Sequence, residues 1–81
     1  MRLIVKNGIF KDETYENVFR AFVEVDCING EVYYYVNVLY HTMYFGVDCG
    51  VICAMNNQDA ALALRDQIRS GLHSKLDEMV V

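Results

Sequence analysis

Few side chains in this sequence could do chemistry. Cys49 and Cys53 are spaced C-x3-C, His41 lies upstream of them, and acid pairs stand at Asp12-Glu13 and Asp77-Glu78. Two thiolates four residues apart suggest a metal site. On a strand, however, those positions lie roughly 13 Å apart, whereas zinc holds each sulfur about 2.3 Å from the ion. The surrounding alternation reads as a strand, so no metal is expected. Cys27, Cys49 and Cys53 are instead assigned to the core face as small apolar side chains. A nucleophile would need His41 within hydrogen-bond reach of one thiol, and nothing in the spacing selects such a pair. Ser70 and Ser74 lack an elbow motif, and His41 and His73 read as surface histidines. The acid pairs sit at solvated ends, without the pocket that separates two carboxyl pKa values. Gly46-Val47-Asp48-Cys49-Gly50 lacks the Lys and Ser or Thr of a phosphate loop. No catalytic residue and no cofactor is assigned, and an enzyme is not expected.

Size and charge narrow the remaining classes. A chain of 81 residues and 9.3 kDa is expected to form a single domain over 1–81 and reads as a complete small gene product. At this mass, folded surface scales to roughly 5,000 Å². Hydrophobic residues at 54% and charged residues at 22% describe a globular chain rather than a disordered one. Seven basic residues against eleven acidic give a net charge of −4. Counterion release from neutralised phosphates requires a positive field, so direct nucleic-acid binding is disfavoured. A partner protein with a basic surface is favoured by complementarity. No apolar run reaches the roughly 20 residues of a membrane span, and no signal peptide is visible. Three cysteines, an odd number without framework spacing, fit reduced thiols in the cytoplasm.

The elements that must position these groups follow from periodicity. Leu3-Ile4-Val5 reads as a short strand closed by an Asn7-Gly8 turn, with a return at Ile9-Phe10 and a polar loop over Lys11–Thr14. From about Asn17 the period is two: Phe19, Ala21, Val23, Val25 and Cys27 fall on one side, and Arg20, Phe22, Glu24 and Asp26 on the other. A helical stripe of Tyr15, Val18, Phe19 and Phe22 competes, but the alternation runs unbroken to the turn. Asn29-Gly30 predicts a two-residue type I′ hairpin, which sets Ile28 opposite Glu31, Cys27 opposite Val32, Asp26 opposite Tyr33 and Glu24 opposite Tyr35. Val32, Tyr34, Val36, Val38 and Tyr40 then complete the core face. A third strand from about Tyr44 to Met55 is expected to place Phe45, Val47, Cys49, Val51 and Cys53 on that face. Asn56-Asn57 opens a helix whose apolar stripe is Ala61, Leu64, Ile68, Leu72, Leu76 and Met79, with a kink expected at Ser70-Gly71. The fold class is α+β: an antiparallel sheet of three to five strands with one C-terminal amphipathic helix packed on one face.

One helix covers one face of a sheet, and the other face would ordinarily be polar. Here it carries Phe22, Tyr33, Tyr35 and Leu39 among Glu24, Asp26 and Glu31. Tyrosine with apolar neighbours and a charged rim is the composition of an interface. These seven residues are the expected partner-binding set. They suit an inhibitor or adaptor acting by occlusion, in outline like the small accessory and anti-defence proteins of bacteriophages and mobile elements. In a sharper form the acids mimic nucleic-acid phosphates in a basic groove. The alternative is a homodimer or larger assembly pairing through the same tyrosine-bearing face. Stacking of single-stranded nucleic acid on the tyrosines lacks the positive groove that accompanies it.

Overall fold

Alternating β-branched and aromatic residues around two glycine-ended turns build the larger part of the molecule. A computed structural model describes residues 1–6 and 10–81; the Asn7-Gly8 turn and Ile9 lie outside the described residues. Strands β1 (Arg2–Val5), β2 (Glu13–Tyr15), β3 (Val18–Ile28), β4 (Glu31–Thr42) and β5 (Gly46–Met55) precede helix α1 (Gln58–His73) and strand β6 (Glu78–Val80). The architecture is α+β, with two three-stranded sheets ordered β3-β4-β5 and β2-β1-β6. β3, β4 and β5 are antiparallel neighbours, and α1 packs across them. At the β3–β4 turn Asn29 and Gly30 both take positive φ, 51° and 79°, as a type I′ turn requires. The register has all four expected pairs, from Ile28 with Glu31 to Glu24 with Tyr35.

Two β-bulges move residues away from their expected faces. One lies between Val18 and Arg20, which pair with Tyr40 and Leu39. The extra residue, Phe19, leaves the core side and stacks on His41, with ring centroids 4.5 Å apart. Val18 is buried in its place. The second bulge interrupts β5 opposite Val36 and Asn37. Below it the parity of β5 is the reverse of expectation: Gly50 pairs with buried Val38, while Cys49 pairs with Leu39 and Val51 with Asn37. Cys49, Val47 and Val51 therefore lie on the side away from the helix. Cys27 and Cys53 keep the expected face, paired with Val32 and Val36, but Cys27 and Cys49 are exposed and Cys53 is half-buried, so none of the three belongs to the buried core. On the hairpin the helix covers the expected face, that of Ala21, Val36 and Val38; in β5, with apolar residues on both sides, it is the bulge that decides which of them face the helix.

The covering layer is also richer than a single helix. Segment 11–14 does not remain a loop: Glu13–Tyr15 forms β2 and pairs with β1, placing Leu3 opposite Tyr15. On the other side of β1, β6 pairs in parallel, Leu3 with Met79. This small sheet and α1 roof the same side of β3-β4-β5. The core between them is Leu3, Val18, Ala21, Val36, Val38, Ala61 and Ile68, all 2% exposed or less. Asn57 caps α1, its side chain accepting from the Ala60 N–H at 3.0 Å. The helix ends earlier than its stripe suggests and has no break at Ser70-Gly71. Lys75 adopts φ 56°, its N–H donates to Leu72 O at 3.1 Å and that of Leu76 to Gly71 O at 3.0 Å, a Schellman closure. Leu76 is consequently half-exposed, and Met79 reaches the core from a strand. Asp77 and Glu78 stand beyond the helix, Glu78 opening β6.

Tyr15 joins the two sheets. Its ring sits edge-on to Tyr40 at 5.3 Å and lies over Gly50, where a Cβ would collide with it. Gly50→Ala must displace a ring already packed on both sides, and overpacking of this kind costs about 1–3 kcal/mol. A urea titration checks this through a lowered midpoint at unchanged slope. Burial first, and the hydrogen bond to Glu13 second, push the Tyr15 phenol from its ordinary value of 10.0 to about 12. A pKa raised by folding favours the folded state below the unfolded value, and that contribution is lost as pH rises through the folded one. Stability should fall between pH 10 and about 12 more steeply in the wild type than in Tyr15→Phe, measured by thermal melts across that range.

Candidate protein-binding face

The side of β3-β4-β5 turned away from α1 is built by strand pairing alone. Pairs Arg20–Leu39, Phe22–Asn37, Glu24–Tyr35, Asp26–Tyr33 and Ile28–Glu31 share it, and β5 adds Val47, Cys49 and Val51. All seven sequence-predicted residues, Phe22, Glu24, Asp26, Glu31, Tyr33, Tyr35 and Leu39, thus fall on one continuous surface. Phe22, Tyr33, Tyr35 and Leu39 are half-buried, whereas Glu24, Asp26 and Glu31 are exposed. The tyrosine rings lie 6.5 Å apart and tilted. Tyr33 donates its hydroxyl to Glu31 Oε2 at 2.6 Å, which raises the phenol pKa and fixes the ring beside the acids.

At the centre stands Asn37, only 3% exposed although no helix covers it. Its amide donates to Tyr35 O at 3.1 Å and its Oδ1 accepts from the Cys49 thiol at 3.7 Å. A buried amide bonded on both its atoms holds its neighbours in place at little desolvation penalty. Burial, with Glu24 and Asp48 next in effect, raises the Cys49 pKa. That direction is opposite to the one a thiolate nucleophile needs. Among the described residues no three His, Cys, Asp or Glu side chains cluster as metal ligands. The edge strands carry one device twice: Asp26 Oδ1 accepts from Cys27 N–H, and Asp48 Oδ1 from Cys49 N–H, each at 2.8 Å. A carboxylate bonded to an edge-strand amide disfavours addition of a further strand.

The surface is bipolar along the strands. Glu24, Asp26 and Glu31 occupy the end near Asn29-Gly30, while Arg20 and His41 occupy the opposite end. Beyond the Arg20 end projects a loop of which Tyr44 and Phe45 were expected inside the third strand. Met43, Tyr44 and Phe45 form the β4–β5 loop and are 85%, 83% and 87% exposed. Thr42 fixes the loop, its hydroxyl accepting from Phe45 N–H and donating to Gly46 O, both at 2.9 Å. Gly46 takes φ 77°, the left-handed position that closes a three-residue hairpin loop. That glycine was the available signal: Thr-Met-Tyr-Phe-Gly is a turn spelling, hidden by its apolar centre.

Thr42→Val keeps the strand and removes both bonds. Stability should fall by about 1 kcal/mol, and the Phe45 amide should exchange with solvent faster, read by two-dimensional NMR in heavy water. Compared with family models, curated proteins and solved structures, the chain matches none.

Proposed function

We propose that this chain is a protein-binding module, an inhibitor or adaptor that lays the open side of β3-β4-β5 over another protein and blocks it sterically. The observation that carries this reading is the joint placement of Phe22, Tyr33, Tyr35 and Leu39 with Glu24, Asp26 and Glu31 on a face that nothing among the described residues covers. Aromatic anchors surrounded by charge concentrate binding energy where water is excluded. The acids, within a chain of net charge −4, select a partner with a cationic surface and speed its approach. A basic nucleic-acid-binding groove is one such surface, and there the three carboxylates would stand in for phosphates. Three free thiols are in keeping with a reducing, cytoplasmic setting. No helix of the described residues is long and apolar enough to cross a membrane.

The test is a tagged pull-down from nuclease-treated lysate with the Tyr33→Ala/Glu24→Lys variant alongside. One foreign protein in stoichiometric yield, absent from the variant's eluate, is the expected outcome. Recovery of the bait alone counts against the reading.

A further inference from the structure

Met43, Tyr44 and Phe45 are the most exposed of the large apolar side chains among the described residues, and they stand side by side. Taking about 150 Å² for each aromatic side chain, the three present roughly 400 Å² of apolar surface, a size that marks a contact site on a monomer. Apolar surface continues from the tip onto the open face. Val47 pairs with His41, Phe19 stacks on that ring, and both are exposed. The Thr42 hydroxyl bonds hold the turn in one shape, so little backbone freedom is left to lose on contact. A convex apolar tip enters either a lipid surface or a concave protein surface. Anionic lipid is reached through Lys and Arg, and the sequence has neither between Arg20 and Arg65. Asp48, paired with Tyr40, adds a negative charge just below the tip. Three uncharged side chains alone give lipid no more than the marginal hold of one acyl chain. A protein pocket removes the whole tip from water, the setting in which aromatic side chains contribute most to binding.

We propose that the Met43–Phe45 tip is a knob that enters an apolar pocket of the foreign protein and anchors the open face across it. The inference rests on the reading of that face as a binding surface, and it adds a second feature to the partner. Tyr33, beside the acids, lies nine residues before Thr42 on β4, roughly 30 Å along a strand. The partner therefore carries its apolar pocket about 30 Å from its cationic surface. The pocket also supplies a polar group for the Tyr44 hydroxyl, which a buried phenol requires.

The foreign protein that the wild-type bait recovers from nuclease-treated lysate is identified, purified and used as the titrant. The sequence contains no tryptophan, so Phe45→Trp gives the tip a unique fluorophore. On titration its emission should move to shorter wavelength as the ring leaves water. Tyr44→Ser and Phe45→Ser should each weaken binding about tenfold or more. Both should melt as the wild type does, since the two side chains are exposed and surface changes of this kind leave stability nearly unchanged. A foreign protein that binds in a Tyr33-dependent way, leaves the tryptophan in water and ignores both serine variants overturns the tip proposal and leaves the face reading standing. A shift on vesicles of equimolar phosphatidylcholine and phosphatidylglycerol, without protein, overturns the pocket in favour of lipid. A shift that grows with the chain's own concentration assigns the tip to a second copy and overturns the foreign pocket too. Recovery of no foreign protein overturns the face and tip readings together.

Discussion

Almost all the apolar contact in this molecule is made on one side of the β3-β4-β5 sheet. Leu3 from the N-terminal strand and Ile68 from the helix meet Val36 and Val38 there, all essentially without exposure. A 16-residue helix and a sheet of three short strands supply enough surface to roof one face, and among the described residues no further element covers the other. This limit governs the rest of the structure. It requires β1 to be held in place from both sides, by β2 and by β6, because Leu3 anchors the roof. It requires Gly50 to be small, because Tyr15 closes the roof against the sheet.

The uncovered face is consequently organised by its own side chains. Asn37 is buried by neighbours in its own sheet rather than by a second layer, and its amide bonds tie β4 to the Cys49 of β5. Phe22, Tyr35 and Leu39 lie around it, partly shielding one another. Such a surface is held by its own hydrogen bonds and packing, which would reduce the side-chain entropy lost in the association we propose. The Met43–Phe45 tip shares this property through Thr42: three large apolar side chains are held out on a hydrogen-bonded turn rather than a loose loop.

Charge on this face complements its shape. The acids gather at one end and Arg20 stands at the other, so the field has direction as well as sign. A directional field fixes the orientation in which a partner docks.

The strand–turn–strand of β3 and β4 was legible because Asn29-Gly30 admits one tight turn and thereby fixes the pairs behind it as far as Arg20; the grouping of the seven candidate residues on one face follows from that register. The helix was legible from its N-cap and stripe, though its end was set by Lys75 taking a left-handed conformation that glycine would have advertised. Local sequence thus determined the α+β class, the long hairpin and the membership of the acid–aromatic face, since each depends on period and turn chemistry over a few residues. Only the tertiary structure decided the parity of β5, the bulge that turns Phe19 outward, and the exposure of the Met43–Phe45 tip. It alone paired β1 with β6 from opposite ends of the chain. These depend on which surface is covered, and covering is a contest among distant segments for the same apolar area, which no local pattern records.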